Sequence, residues 1–357
     1  MNAAPTEAKS RESKLLDAAR GGNQGAFRQL VESHRNELHA HCYRMLGSVH
    51  DADDALQETL LRAWRGLATF ESRSSVPTWL YRIATNVCLD AIAQRPRRAL
   101  PVDRGPAAGP DDELGDPIVE SVWIEPYADE PLGLQGEVAA PEAQYELREA
   151  VELAFIAALQ HLPATQRAVL ILRDVLGYSA RETAEVLDTT VPSVNGALRR
   201  ARAAAEERLP SQSQQAALRA LGDDGIHEVV ERYIDAWERG DVDAILALLA
   251  DDATFTMPPL PTWYRGRKAI SSFLTRDALQ DRWRILPTRA NGQLAFGCYA
   301  WDESKQSYTA LSLDVLALDG TRATDVTSFV TPYTTGSARD EFATEVLGRF
   351  GLPAELS

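Results

Sequence analysis

Apolar residues recur every three to four positions through the N-terminal quarter of the chain, which is the spacing of amphipathic helices. Two short helices are predicted first, over Leu15–Ala19 and Ala26–Val31, with Gly21 and Gly22 between them. Three longer helices follow, and the last opens at Pro77, a residue that the first turn of a helix accepts. The predicted all-helical domain covers residues 12–94, and its longer helices are Asn36–Leu46, Ala52–Trp64 and 77–93.

A second helical domain is predicted over residues 143–210, and it ends in a helix-turn-helix over Tyr178–Arg202. The polar residues 188–190 break the apolar pattern, and Pro192 stands at the start of the second helix. The apolar face of the first helix is predicted at Ala180, Ala184 and Leu187, and that of the second helix at Val194, Leu198 and Ala201.

The opposite face of the second helix carries side chains suited to DNA. Residues 193–202 contain three Arg and no acid. Asn and Arg hydrogen-bond base edges in the major groove, and Arg also binds phosphate. We therefore predict a DNA-recognition helix, and the alternative is a solvated amphipathic helix on a bundle. The polar residues of this face are Ser193, Asn195, Arg199, Arg200 and Arg202.

The pattern changes again in the C-terminal third, from helical stripes to runs that are typical of strands. Helices followed by a long antiparallel run of strands indicate an α+β domain, predicted over residues 222–355. A last helix is predicted over Asp340–Phe350. The strand-like runs are Thr254–Met257, Trp283–Thr288, Gln293–Tyr299, Tyr308–Leu318 and Ala323–Thr331.

Residues 95–142 separate the two helical domains and lack a steady period. They are rich in Pro and Gly, and residues 102–142 carry eleven acids against Arg104 alone. Such a composition buries too little apolar surface to fold by itself, so an acidic, flexible and largely disordered linker is predicted. One apolar island, Val119–Tyr127, is a candidate docking segment, and Ser211–Gln214 marks the next boundary.

The net charge of −15 changes the expectation for DNA binding. Phosphate neutralisation drives protein–DNA affinity, so a chain this acidic should bind DNA poorly alone. The negative charge lies mainly in the linker and the C-terminal third, since residues 1–94 balance to zero and residues 143–210 to −1. The chain is therefore expected to reach DNA within a larger, more basic assembly.

Composition also argues against other classes of protein. The chain has no apolar run of membrane-spanning length and no apolar core segment of a secretory signal near its start, so a cytoplasmic location is expected. No cofactor is expected, and no metal either, because the spacing of His34, His39, His41 and Cys42 does not match a dedicated site. Three cysteines distant in sequence are expected as reduced thiols, namely Cys42, Cys88 and Cys298.

Two separated parts of the chain resemble one family. Residues 52–65 and 77–90 resemble regions 2.2 to 2.4 of bacterial sigma factors of the extracytoplasmic-function group, and residues 160–202 resemble their region 4. The C-terminal third resembles the SnoaL-like, NTF2-like fold that some of these sigma factors carry. The resemblance implies a multidomain protein, with two all-α sigma domains and a C-terminal α+β domain. Such a protein is not an enzyme; it binds RNA polymerase core and promoter DNA and initiates transcription.

The helix at 52–65 carries an acidic outer face. Asp54 and Glu58 lie one helical turn apart, and like charges at this spacing destabilise an isolated helix by about 0.2–0.5 kcal/mol. A basic partner surface would offset the repulsion, and the resemblance implies the clamp helices of RNA polymerase; the alternative is a solvated acidic face. The predicted core-binding residues are Asp53, Asp54, Gln57, Glu58 and Leu61.

The helix at 77–90 combines aromatic, cationic and amide side chains. Aromatic rings stack on unpaired bases, and Asn hydrogen-bonds a base edge. The resemblance implies that this helix and the loop Glu71–Ser75 capture the −10 promoter element, with Asn86 at the family's reading position. The alternative is that Trp79 and Ile83 are core residues. The predicted −10 residues are Trp79, Tyr81, Arg82 and Asn86.

The resemblance also implies a role for the recognition helix and the linker. The helix would read the −35 element, although Asn195 and Gly196 depart from the residues common in the family. Asn suits adenine, so the base preference shifts. The acidic linker would enter the RNA exit path of the polymerase, where a polyanionic segment mimics nucleic acid. The alternative is a plain flexible tether.

The C-terminal domain is expected to regulate rather than catalyse. Its fold hosts cyclases and isomerases as well as non-catalytic sensors, and His227 is its single histidine. The apolar segment Phe255–Gly266 would pack on the sigma domains or line a pocket for a small-molecule ligand. A ligand-sensing one-component regulator is the alternative function for the chain. The candidate cavity residues are Asp302, Asp314, Asp325, Tyr264 and Tyr308.

Overall fold

The computed structural model describes residues 4–70, 74–118, 120, 122–129, 149–331 and 342–357, with the side chains of 4–11 left out. The chain forms two compact units. The first contains the described residues up to 96 together with 159–207, so both helical domains contribute to it. The second contains 208–357 together with the other described residues from 97 to 158, so the described linker belongs with the C-terminal domain.

The first five helices confirm the periodicity at the start of the chain. Side chains of Asn23, Ser48 and Ser75 accept hydrogen bonds from first-turn amides of the second, fourth and fifth helices. Gly47 ends the third helix with φ +70°, a conformation that glycine adopts without strain. The helices are α1 Ala4–Arg20, α2 Gln24–Glu32, α3 Arg35–Leu46, α4 Val49–Gly66 and α5 Val76–Gln94.

Four helices follow the linker and include the predicted helix-turn-helix. Ser179 and Glu182 form a capping box at the start of its first helix, and Thr190 caps the second. The turn between them includes Asp188 at φ +49°. The helices are α6 Leu153–His161, α7 Ala164–Leu170, α8 Ala180–Val186 and α9 Val191–Glu206, with a π-helical turn at Ile171–Val175 after α7.

The C-terminal domain is a sheet covered by helices. Its helices are α10 Gln214–Glu238, which is interrupted at Gly222, α11 Val242–Ala247 and α12 Arg267–Arg276. Its strands are β1 Leu249–Thr256, β2 Trp263–Arg265, β3 Trp283–Ala290, β4 Gln293–Asp302, β5 Ser307–Asp319, β6 Arg322–Val330 and β7 Glu355–Leu356.

The strand order is β2-β1-β6-β5-β4-β3, with β7 pairing with β5. The predicted antiparallel run holds from β3 to β6, but β1 pairs with β6 in parallel. Parallel neighbours require a long crossover. The chain supplies one by sending β2, α12 and the three strands β3–β5 between β1 and β6, so sequence order did not reveal this pair.

Aromatic rings join α10 to the sheet in the core of this domain. Tyr233 stacks on Phe296 with ring centroids 4.2 Å apart, and Trp237 meets Trp283 edge-on at 5.6 Å. All four residues are buried. Val229, Tyr233 and Trp237 lie at helical spacing and are buried, so they form the face that α10 presents to the sheet.

The described linker residues pack on the C-terminal domain. Ala108 N donates to Trp263 O at 2.8 Å, and Gly115 N donates to Thr262 Oγ1 at 2.8 Å. At the other end of the sheet, Ala128 forms a β-bridge with Ala290. These contacts differ from the predicted disordered tether, because backbone groups of the linker find partners more than a hundred residues away in sequence.

The other face of the sheet meets residues near the C-terminus. A Cβ on Gly297 would lie 2.6 Å from Leu352, so β4 needs glycine for this close approach. Of the helix predicted at Asp340–Phe350, the first two residues lie outside the described part. The rest forms a π-helical turn at Phe342–Val346 and a 3-10 helix at Leu347–Phe350.

Candidate nucleic-acid interface

The recognition helix α9 is held by its buried side and presents its polar side to solvent. Val194, Leu198 and Ala201 are buried, as predicted. Thr190 Oγ1 accepts a hydrogen bond from Ser193 N at 3.3 Å, which fixes the first turn. The five predicted −35 residues all have exposed side chains, namely Ser193, Asn195, Arg199, Arg200 and Arg202.

The arginines of this face differ in their partners. Arg202 donates two hydrogen bonds to the Asp174 carboxylate, at 2.8 and 2.7 Å, and the bidentate pair raises the pKa of Arg202. Arg199 and Arg200 form no ion pair with any described residue. The guanidinium groups of Arg199 and Arg200 therefore face solvent without an ion-pair partner among the described residues, whereas that of Arg202 is held by Asp174.

Helix α5 places two of the four predicted −10 residues on one exposed stripe. Arg82 and Asn86 are both exposed and lie one helical turn apart. Trp79 is half-buried and stacks on Phe70, with ring centroids 4.6 Å apart. Residues 71–73 of the predicted loop lie outside the described residues. The exposed stripe suits an extended contact with a single strand, and Trp79 lies at its N-terminal end.

Tyr81 is the predicted −10 residue that the structure buries. Its relative exposure is 5%, and its ring meets His41 and Tyr178 edge-on at 5.3 and 5.8 Å. Burial raises its pKa, and the charge on Glu37 adds to the effect. The prediction that Tyr81 meets DNA therefore differs from its position in this structure, because a residue of the helix-turn-helix region covers it.

His41 belongs to the same buried cluster. Its Nε2 lies 2.9 Å from Thr85 Oγ1, and burial lowers the pKa of His41 to about 3. The ring is therefore neutral at physiological pH and acts as a packing element. Cys42 and Cys88 are buried in the same domain, and burial together with Cys42 raises the pKa of the Cys88 thiol. A buried thiol of raised pKa, such as Cys88, reacts slowly.

The acidic face of α4 is exposed as predicted. Asp53, Asp54, Gln57 and Leu61 are exposed, while Glu58 is half-buried. Leu61 keeps 45% of its surface exposed, which is unusual for a large apolar side chain on a helix with a buried face. An apolar residue beside carboxylates matches a partner surface that is basic and apolar together.

Cations of the chain partly neutralise this face. Glu58 accepts from Arg62 at 2.7 Å, and Arg62 also reaches Asp90 at 3.1 Å. Arg95 contacts the carboxylates of Asp54 and Asp51. The hydrogen bonds to Glu58 and Asp90 raise the pKa of Arg62. The pairs of Arg62 with Glu58 and Asp90 are largely exposed, so each stabilises the fold by about 0–1 kcal/mol.

Inside the C-terminal domain, a buried carboxylate meets three hydroxyls. Asp314 accepts hydrogen bonds from Tyr233, Ser312 and Ser328 at 2.7, 3.0 and 2.5 Å. Burial raises the pKa of Asp314, although the three hydroxyls oppose the shift. Tyr233 also lines a small, mainly apolar cavity between α10, α11 and the sheet, so this residue links the polar cluster to the cavity.

The other predicted cavity residues lie elsewhere. Asp302 caps a turn by accepting from Ser304 N at 2.9 Å, and Asp325 accepts from Thr254 Oγ1 at 2.5 Å. Tyr264 OH donates to the linker carbonyl of Asp112 at 3.3 Å. Tyr308 meets Trp301 edge-on at 5.0 Å. The sequence did not distinguish these structural positions from a cavity, since polar residues on strands serve both.

Within the described ranges, no group of three His, Cys, Asp or Glu side chains is placed to hold a metal ion. No helix in the described part of the chain is long and apolar enough to cross a membrane.

Comparison with known proteins accounts for each part of the chain. Residues 30–98 match the family described as Sigma-70 region 2, and residues 152–204 match Sigma-70, region 4. Residues 230–326 match the SnoaL-like domain. These three matches coincide with the bundle around α3–α5, the helix-turn-helix region and the C-terminal sheet domain.

Whole-chain relatives agree with this division. The chain is 38% identical over 337 residues to the ECF RNA polymerase sigma factor SigG of Mycobacterium tuberculosis, covering 93% of this chain and 85% of that protein. It is 28% identical to the ECF RNA polymerase sigma factor SigW of Bacillus subtilis, covering 55% of this chain and 95% of that protein.

A solved structure supports the fold. The extracytoplasmic-function sigma factor SigJ of Mycobacterium tuberculosis superposes with a TM-score of 0.54 at 20% identity, covering 85% of this chain and 95% of that one. The SigG relationship extends through all three regions. The chain therefore belongs to the extracytoplasmic-function sigma factors of RNA polymerase and carries a C-terminal SnoaL-like domain.

Proposed function

We propose that this sigma factor binds RNA polymerase core through the acidic face of α4, captures the −10 element with α5 and reads the −35 element with α9. The observation that carries the proposal is the α9 surface, where five polar residues are exposed and none is acidic. The exposed stripe of Arg82 and Asn86 supports the −10 assignment, together with Trp79 and, once uncovered, Tyr81. The exposed Leu61 among carboxylates supports the core assignment.

In vitro transcription tests this assignment. Purified core is mixed with the full chain on promoter fragments, and specific transcripts are expected only when the chain is added. A double variant, Arg199→Ala with Asn195→Ala, is expected to lose transcripts that depend on the −35 element. Arg181→Ala is the matched control, because Arg181 is equally exposed on α8 and pairs with Glu185 outside the recognition face. Duplex binding without core, and no transcripts with it, would instead favour the one-component regulator.

The proposed domain boundaries are 12–94, 95–142, 143–210 and 222–355.

The linker contacts described above support a close association of the first half of the linker with the C-terminal domain. We assign a regulatory role to this domain on that basis: it holds linker residues that the polymerase would otherwise engage. The test compares transcription by the full chain with that of Arg276→Ala, which removes hydrogen bonds to the linker carbonyls of Pro110 and Asp112. Unchanged output with a released linker would reject the role.

We also propose that the C-terminal domain binds a small molecule. The cavity wall is formed mainly by apolar side chains of α10, α11 and the sheet, and it includes Tyr233, whose hydroxyl donates to Asp314. A small apolar molecule with one polar oxygen matches this lining. Thermal unfolding of the full chain in the presence of a panel of such molecules tests it. A molecule that stabilises the wild type but not Tyr233→Phe supports the ligand site. If no molecule of the panel stabilises the wild type, the ligand site is rejected.

A further inference from the structure

The turn between β3 and β4 is an Asn-Gly pair that other segments of the chain bury. Ala290 pairs with Gln293, and Asn291 and Gly292 between them have φ +55° and +70°. Two positive φ values define the tight hairpin turn that Asn-Gly favours. Connections between strands usually lie at the surface, yet the relative exposure of Asn291 is 0%.

The linker residues Tyr127–Asp129 cover this turn, and we call them the clasp. Tyr127 N donates to Asn291 Oδ1 at 2.8 Å, and Asn291 N donates to Tyr127 O at 2.8 Å. Gly292 N donates to Asp129 Oδ1 at 2.8 Å. Both residues of the turn are therefore hydrogen-bonded to the clasp.

Two further segments hold the same turn from other sides. Asn291 Nδ2 donates to Val151 O at 2.7 Å, just before α6 begins. Gln215 Nε2 of α10 donates to Gly292 O at 2.6 Å. The side-chain amide of Asn291 is thus held at both ends, by the clasp at its oxygen and by Val151 at its nitrogen.

An Asn-Gly pair is also the dipeptide most prone to deamidation. The Gly292 nitrogen would attack Cγ of Asn291, the Cγ–Nδ2 bond would break, and ammonia would leave with the proton of the attacking nitrogen. Water then opens the resulting succinimide ring at either carbonyl and leaves aspartate or isoaspartate. Glycine favours the attack because it has no side chain to hinder the approach. Water is the only co-reactant.

The contacts of the turn oppose the first step in two ways. Ring closure requires Cγ of Asn291 to approach the Gly292 nitrogen, and the hydrogen bonds at both ends of the amide resist this movement. Attack also requires the Gly292 nitrogen to lose its proton, which is donated to the Asp129 carboxylate. A hydrogen bond to the protonated form and a nearby negative charge both disfavour the amide anion. The docked clasp therefore protects Asn291.

We propose that Asn291 is a protected deamidation site, which stays intact while the clasp is docked and converts once the clasp is released. Conversion makes the release permanent. The new carboxyl group faces Val151 O where an amide donor stood, so two acceptors oppose each other at a buried position. The proposal rests on the proposed engagement of the linker by polymerase, which supplies the release, and adds a covalent step that follows it.

Peptide mapping by mass spectrometry tests the protection. Asp129→Ala removes the acceptor of the Gly292 N–H. Wild type and variant are incubated in mildly alkaline buffer, and conversion of Asn291 is followed with time. The chain offers an internal control, because Asn195 and Gly196 form a second Asn-Gly pair inside α9.

We expect Asn291 to convert about tenfold faster in Asp129→Ala, since loss of a buried hydrogen bond raises the open population by about this factor. Conversion of Asn195 is expected to be equal in both chains, which also shows that the variant is folded. Equal conversion of Asn291 in the two chains would overturn the protection. A comparison independent of any variant uses a synthetic peptide of residues 288–295. If Asn291 converts as fast in the folded wild type as in this peptide, the protection is likewise overturned.

Asn291→Asp tests whether conversion keeps the clasp released. Chymotrypsin is expected to cleave after Tyr127 several times faster in this variant than in the wild type. Asn195→Asp makes the same change at the exposed Asn-Gly pair and is expected to leave this cleavage unaltered. Equal cleavage of Asn291→Asp and the wild type would overturn the permanent release.

Polymerase core separates the proposal from the function on which it rests. Added core is expected to speed the conversion of Asn291 in the wild type and to leave that of Asn195 unchanged. If core has no effect on Asn291 while Asp129→Ala still accelerates it, the engagement of the linker by polymerase is rejected and the protected site stands.

Discussion

At the scale of single residues, Glu152 shows how burial makes a side chain sensitive to pH. Its Oε1 accepts a hydrogen bond from Gln215 N at 2.9 Å at the start of α10, and burial raises the pKa of Glu152 to about 7. Because the folded pKa lies above the unfolded one, its stabilising contribution is complete below about pH 4.5 and is lost as pH rises through about 7.

Glu152→Gln is therefore expected to flatten part of the pH dependence of stability. The difference amounts to about 1.4 kcal/mol per pKa unit, hence a few kcal/mol at most. The measurement is urea unfolding of wild type and variant at pH 5.5 and pH 8. Glu207→Gln, at an exposed position, serves as control. A variant that retains the full pH dependence would show that Glu152 is not responsible.

Asn195 is the residue whose chemistry the sequence indicated most directly. It is exposed on α9 and offers both a donor and an acceptor to a base edge. Asn195→Ala is expected to reduce discrimination at one −35 base by about 1–3 kcal/mol, with little change in binding to other sequences. A competition experiment measures this effect: RNA polymerase core that carries the wild-type or variant chain binds one of several promoters that differ by a single base. A loss of affinity that is equal for all bases would show instead that Asn195 contacts the sugar–phosphate backbone of the DNA.

At the scale of elements, α4 separates a folding face from a binding face. Its buried side includes Ala52, Leu56 and Ala63, whereas Leu61 points outward. Leu61→Ser is expected to leave the melting temperature within about 1–2 °C, since surface changes usually stay within about 0.5 kcal/mol. Affinity for polymerase core is expected to fall severalfold in a pull-down titration. A large drop in melting temperature would show that Leu61 belongs to the core.

The elements themselves could largely be predicted from the sequence. Local signals determined them: Gly47 ends α3, Pro77 opens α5, and the 188–190 break separates α8 from α9. Strands β3–β6 match four of the strand-like runs in the sequence. Contacts between distant segments could not be predicted, because no local pattern encodes them. The parallel β1–β6 pair, the linker contacts and the cover over Tyr81 are of this kind.

The same limit applies to the candidate site. Two of the predicted −10 residues, Arg82 and Asn86, are exposed on α5. Tyr81 lies beside them in sequence, yet Tyr178 buries it. The ion pair between Arg202 and Asp174 could likewise not be predicted from the periodic pattern, because the two residues are 28 positions apart.

At the scale of the whole molecule, Arg276 controls how firmly the linker is held. Its guanidinium donates to the carbonyls of Pro110 and Asp112 at 3.1 and 2.7 Å. Arg276→Ala is expected to release this part of the linker, because it removes two charge-assisted hydrogen bonds to linker carbonyls. Limited proteolysis should then cleave near residues 105–116 several times faster than in the wild type. Arg282→Ala, an exposed change in the same domain, should leave the cleavage rate unaltered.

The linker also covers the two edge strands of the C-terminal sheet, where copies of the chain could otherwise pair. Ala108 forms a β-bridge with β2 at one edge of the sheet, and Ala128 forms one with β3 at the other edge. Without these bridges, both edges would expose unpaired backbone groups to other protein chains. Open edges are templates for intermolecular pairing. A fragment that begins at Ser211 is therefore expected to self-associate in sedimentation velocity, whereas the intact chain at equal concentration stays dispersed. We therefore expect the acidic segment between the sigma regions to limit aggregation of the chain through the edges of this sheet.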